Sequence, residues 1–141
     1  MLKPSRLTEE EFGLIKLHPQ IGRRILERAE GFEPILDAVE LHHENYDGSG
    51  YPYGLSGERI PLAARIIRVA DAFDAMTTQR SYRPALAPEF AMDTIHAGGG
   101  NEFDERCAWA LLRVLRRGGQ QRLVMTTAGE LLSGEQVLAP V

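Results

Sequence analysis

The sequence predicts an all-α domain, and two observations carry that prediction. Between Pro61 and Thr77 the apolar residues Leu62, Ile66, Val69, Phe73 and Met76 step by four, three, four and three. That is the period of a helix with one buried side. Helix starts are also marked: Thr8-Glu9-Glu10-Glu11 has the form of a capping box, and Pro19, Pro34, Pro61 and Pro88 each open an apolar-patterned segment.

Taken in order, the capping box starts a helix at Glu9 that carries Phe12, Leu14 and Ile15. It breaks or bends near His18-Pro19, because proline disfavours α geometry in the residue before it. A second helix follows with Ile21, Ile25 and Leu26, and a third spans residues 34 to about 44, with Ile35, Leu36 and Val39 on one side. Residues 45–58 are punctuated by Asp47-Gly48, Gly50-Tyr51-Pro52, Gly54 and Gly57, which predicts a loop of defined turns. The stripe from Leu62 to Met76 then predicts a long helix with a continuous buried face. Another helix covers 88–97 and ends in Gly98-Gly99-Gly100. Asp104 caps a last helix bearing Cys107, Trp109, Leu111, Leu112 and Leu115. Beyond Gly118-Gly119, residues 123–127 and 136–138 suit two short strands or a loose tail, so 117–141 is expected to be a weakly structured appendix.

Composition bounds the function. The 141 residues are 43% hydrophobic and 26% charged, which suits one globular domain and argues against wholesale disorder. A net charge of −4 argues against a general DNA or RNA binder. No apolar run is long enough to span a membrane and no signal peptide opens the chain. The single cysteine, Cys107, forms no intramolecular disulfide and fits the reducing cytoplasm.

Three of the four histidines stand at 18, 42 and 43. Each alone is better explained as a surface or satisfied core histidine than as a ligand. Adjacent residues on a helix point about 100° apart. His42 and His43 therefore do not chelate as an i,i+4 pair does; they bracket a site, facing different metals or different sides of one. Asp71 lies off the stripe of the long helix, on a face shared with Ile67 and Asp74, where a carboxylate caps, pairs with an arginine or ligates. Imidazole with carboxylate suits iron, manganese, zinc and similar first-row metals.

The run His42-His43-Glu44-Asn45-Tyr46-Asp47-Gly48-Ser49-Gly50-Tyr51-Pro52 closely resembles the signature H-H-E-x-x-D-G-x-G-Y-P of the HD-GYP family. That family comprises bacterial phosphodiesterases of cyclic di-GMP within the HD-domain metal-dependent phosphohydrolases. Further matches follow in family order: Leu7 to Glu11 through His18-Pro19-Gln20-Ile21-Gly22, the run from Ile60 to Met76, Arg80-Ser81-Tyr82-Arg83, and Phe103-Asp104. The resemblance covers residues 5–116 and implies an HD-domain-like helical bundle. It implies that His18, His42, His43 and Asp71 ligate metal, with iron or manganese expected. Gly50, Tyr51 and Pro52 would line the nucleotide cleft, with Arg80 and Arg83 on phosphate or guanine and Tyr51 and Tyr82 stacking on guanine. Arginine offers a planar fork of donors matched to phosphate oxygens, and stacking contributes roughly 1–3 kcal/mol per base.

One departure is large. The family takes its name from a His-Asp dyad, and no His-Asp pair occurs in these 141 residues. The resemblance thus implies a domain incomplete at its N-terminus, with four protein ligands where two metals in catalytic register need roughly six to eight. Weak or absent turnover by this chain alone is the expectation. The alternative is a non-catalytic module that binds cyclic di-GMP or touches GGDEF-type diguanylate cyclases, or a remnant. An apolar patch left bare is also expected, and with it a homodimer or docking onto a separate N-terminal fragment.

Overall fold

The computed structural model describes residues 8–79 and 84–131, the stretch 119–131 as backbone alone. Its elements are α1 (Glu9–Ile15), α2 (His18–Leu26), a 3₁₀ turn over Glu33–Ile35 running into α3 (Leu36–Leu41), a 3₁₀ turn over Gly57–Arg59, α4 (Leu62–Thr77), α5 (Pro88–Ala97) and α6 (Glu105–Leu131). No strand occurs among the described residues, as an all-α fold requires. None of their helices is long and apolar enough to cross a membrane.

Local chemistry sets the helix starts. The Thr8 hydroxyl accepts the Glu11 N–H at 3.2 Å, while the Glu11 carboxylate accepts the Thr8 N–H at 2.8 Å. This satisfies two donors that a helix start otherwise leaves open. Pro19 and Pro88 sit in the first turns of α2 and α5. At the start of α6 the Asp104 carboxylate accepts the N–H of Arg106 at 2.8 Å. The other Asp104 oxygen pairs with Arg65 of α4 at 2.5 Å, so the cap also ties two helices together.

Helix α4 is the centre of the packing. Its Val69 side meets Ile95, Phe103, Cys107, Ala108 and Leu112 of α5, the following turn and α6, with Met76 and Met92 closing the cluster. Toward its start, Ala64 packs with Leu41 of α3 and Ile60. Helix α2 lies on α3 through a close approach at Gly22, where a Cβ would stand 3.2 Å from a Val39 methyl. Arg23 reinforces that contact, pairing with Asp37 at 2.6 Å and Glu40 at 2.9 Å.

Three expectations change. The stripe on α4 is not buried throughout: Leu62 is 55% and Ile66 52% exposed. They line an open groove of about 750 Å³ between α4 and α6, with Val69, Cys107, Leu111 and Val114 on its other walls. The third helix is shorter than 34–44, because residues 33–35 form a 3₁₀ turn and the helix ends at Leu41. Residues 123–127 form no strand; α6 continues through them to Leu131. The expectation for 136–138 lies outside the described residues.

Candidate metal centre

The helix that ends at Leu41 decides the site. His42 is its C-cap and His43 lies beyond it, so the fixed angle between adjacent helical residues does not govern this pair. Both rings turn to meet His18, which opens α2. The ring nitrogens of His18, His42 and His43 lie within 4.8 Å of one another. His18 Nε2 stands 3.2 Å from His43 Nε2 and 3.4 Å from His42 Nε2.

The other ring nitrogens fix the chemistry. His18 Nδ1 lies 2.7 Å from the carbonyl of Ile15, and His42 Nδ1 lies 2.7 Å from the carbonyl of Val39. A carbonyl only accepts, so each Nδ1 carries a proton, which leaves each Nε2 as the nitrogen that can ligate. The two Nε2 atoms face each other, with His43 Nε2 beside them. Three converging imidazole nitrogens can hold a cation, and a backbone carbonyl behind a ligating imidazole is the usual outer support. Three imidazole nitrogens about 2.1 Å from one ion at tetrahedral angles stand roughly 3.4 Å apart. The donor set fits one first-row divalent ion.

His43 is held neutral. Its pKa is lowered to about 3, first by burial and then by the nearby His42, His18 and Arg68. Its ring stacks on Tyr51 at 4.8 Å and 25°, so the Gly50-Tyr51-Pro52 segment borders the centre. The Tyr51-Pro52 peptide bond is cis. Burial raises the Tyr51 phenol pKa and the Asp71 charge adds to the rise, while Arg68 opposes them.

The loop that presents Tyr51 is fixed by Glu44, which sequence reasoning quoted only as part of the signature. Glu44 is 1% exposed. Its carboxylate accepts the N–H of Tyr53 at 2.7 Å and of Leu55 at 3.0 Å. Gly50 passes so close beneath that a Cβ there would lie 2.2 Å from the Asn45 nitrogen and 2.5 Å from Glu44 Cα. Arg68, also missed, donates to Asn45 Oδ1 at 2.9 Å, pairs with Glu102 and lies over the Phe103 ring at 5.1 Å. Its partners are remote in sequence, so no local pattern announces it.

The structure thus brings His18, His42 and His43 together and sets Gly50, Tyr51 and Pro52 beside them. Asp71 sits exposed on α4 and is not among the converging ligands. Its charge acts on the Tyr51 phenol, which borders the histidines. Arg80, Tyr82 and Arg83 lie outside the described residues.

Comparison with known proteins follows the same lines. A model of the HD domain matches residues 1–107. The chain is 48% identical over 115 residues to the cyclic di-GMP phosphodiesterase response regulator RpfG of Xanthomonas campestris, covering 80% of this chain and 30% of that protein. It is 41% identical over 118 residues to a cyclic di-GMP phosphodiesterase of Thermotoga maritima, covering 81% of this chain and 32% of that one. The chain therefore spans about a third of the length of these relatives. Among solved structures, a cyclic GMP-AMP specific phosphodiesterase of Vibrio cholerae superposes with a TM-score of 0.64 at 23% identity, over 78% of this chain and 25% of that one. The histidine centre, the Gly-Tyr-Pro loop and the family match lead to one conclusion: this chain belongs to the HD-domain family, in its HD-GYP group.

Proposed function

We propose that the chain contributes the histidine centre and nucleotide-facing loop of a metal-dependent phosphodiesterase acting on cyclic di-GMP. The observation that carries this is the convergence of the His18, His42 and His43 ring nitrogens, with His18 Nδ1 and His42 Nδ1 set against the carbonyls of Ile15 and Val39. Support comes from the relatives named cyclic di-GMP phosphodiesterases. Iron or manganese is the proposed ion. When bound, such an ion supplies Lewis acidity toward a phosphoryl oxygen and a nucleophile from water at neutral pH. The chain's own part is to hold three neutral imidazoles in place and to set the Tyr51 side of the loop against them. Arg80 and Arg83 remain the proposed phosphate or guanine contacts, with Tyr82 as a stacking ring.

With three converging ligands among the described residues, the 141-residue polypeptide holds one metal and turns over weakly or not at all. Elemental analysis paired with chromatography of cyclic di-GMP incubated with the metal-loaded protein tests both statements. One ion per chain, lost in His18→Ala, with tight binding of cyclic di-GMP and little product, is the expected result. Two ions and rapid hydrolysis overturn the weak-turnover statement. No metal uptake overturns the reading.

A further inference from the structure

We propose that Lys16 binds the second phosphodiester of a cyclic dinucleotide while the first lies at the histidine centre. The inference rests on the cyclic dinucleotide reading above.

Phe12 and Lys16 stand four residues apart, on one face at the C-terminal end of α1. The Lys16 ammonium lies 4.8 Å from the centroid of the Phe12 ring and 5.6 Å from that of Tyr51. The Phe12 edge meets Tyr51 at 6.4 Å and 80°. Tyr51 in turn stacks on His43 at 4.8 Å, so the ammonium is one aromatic ring removed from the ligand set. Aromatic faces hold a cation in place without cancelling its charge. The neighbouring cations differ in this respect. Arg23 is paired with Asp37 and Glu40, Arg68 with Glu102, and Arg65 with Asp104. Among the described residues, none of these ion pairs includes Lys16, so its charge is available to an anion from outside.

A cyclic dinucleotide carries two phosphodiesters on opposite sides of one covalent ring. If one of them sits at the histidines, the other projects away, and a positioned cation one ring-width out is where it is met. A substrate with a single phosphodiester has nothing to offer that cation. Lys16 is then a determinant of specificity for two linked phosphates, and Phe12 is the residue that positions it.

The test is calorimetric titration of the full chain, in buffer containing Mn²⁺, with cyclic di-GMP and separately with bis(p-nitrophenyl) phosphate, which has one phosphodiester. Lys16→Gln is expected to bind cyclic di-GMP about tenfold more weakly and to lose part of the salt dependence, as removal of one charged phosphate contact does. Lys16→Arg should restore most of the affinity, and Phe12→Leu should show a smaller loss. The single phosphodiester should bind wild type and Lys16→Gln alike. Equal affinity of wild type and Lys16→Gln for cyclic di-GMP overturns the role of Lys16 and leaves the substrate reading standing. An equal loss for both ligands overturns the assignment to the second phosphate. No cyclic di-GMP binding by metal-loaded wild type overturns the substrate reading and this inference with it. Lys16 is exposed, so circular dichroism of each variant should match wild type.

Discussion

The body formed by α4, α5 and α6 and the arm formed by α1 and α2 are held in place by different forces. In the body, Val69, Ile95 and Leu112 are each 2% exposed or less, and one apolar cluster joins three helices. In the arm, α1 buries nothing and α2 buries only Pro19, while Leu14, Leu17, Ile21 and Ile25 face outward. Polar contacts add to the packing of α2 on α3 at Gly22: Arg23 to Asp37 and Glu40, Gln20 to Tyr53, and the meeting of His18 with His42 and His43. Two of the three candidate ligands ride on the body side, and the third rides on the arm. The centre joins a buried region to a more exposed one, so ligand chemistry and arm stability are linked.

The sharpest way to break that comparison is Gly50→Ala, on the body side of the joint. The new Cβ would meet the backbone of Asn45 and Glu44 at 2.2–2.5 Å, and backbone cannot give way as a side-chain tip can. A loss of about 3 kcal/mol or more is expected in urea denaturation, together with loss of metal binding. Full stability in this variant would mean that the loop is not fixed as described.

Next in size is the effect of metal itself. An ion at 100 times its Kd adds about 2.7 kcal/mol to the folded state. In hydrogen exchange the added protection should concentrate in residues 9–26, because His18 joins the arm to the body. His18→Ala should abolish that protection while leaving α4 and α5 unchanged. Protection spread evenly over all helices would erase the distinction between arm and body.

Within the body, the Arg65–Asp104 pair is the charged counterpart of the arm's polar contacts, and it differs by being buried. Desolvation pushes the Asp104 pKa up, but hydrogen bonds from Arg65, Arg106 and the backbone outweigh it, so the folded value lies below the usual 3.8. A depressed carboxylate contributes stability that is fully present above the unfolded pKa and is lost as pH falls through the folded one. Asp104→Asn keeps a capping oxygen but not the charge. It should cost about 2 kcal/mol at neutral pH, and the gap from wild type should close as the pH falls below 3.8. A gap constant with pH would remove the ion pair from the account.

What was legible in the sequence divides along the same line. The capping box at Thr8 and the span of α5 were readable because both depend on neighbours in sequence. His42 and His43 were readable as candidate ligands through the signature and His18 through the segment before it, but their convergence joins residues 24 and 25 apart in sequence, which periodicity does not report. Glu44 and Arg68 were not readable in their roles, since their partners lie 9 to 34 residues away. The stripe on α4 misled at Leu62 and Ile66, because period reports which residues share a face and not what covers it. The run at 123–127 suited a short strand or a loose tail, where helix propagation from α6 prevails.

The smallest effect falls on the arm. Gly13 lies inside α1, and a Cβ there meets nothing within 4 Å, in direct contrast to Gly50. Alanine should favour the helix by about 0.5–1 kcal/mol, since glycine carries the larger entropy loss on ordering. If the arm opens separately from the body, that gain is local and does not add to global stability. Gly13→Ala should therefore slow hydrogen exchange in residues 9–15 several-fold while the urea midpoint stays within error. It should also tighten metal binding modestly, because α1 supplies the Ile15 carbonyl that orients His18. A raised urea midpoint with no change in local exchange would show that α1 unfolds with α4, α5 and α6, and that the joint at the histidines is stiffer than its exposed side chains imply.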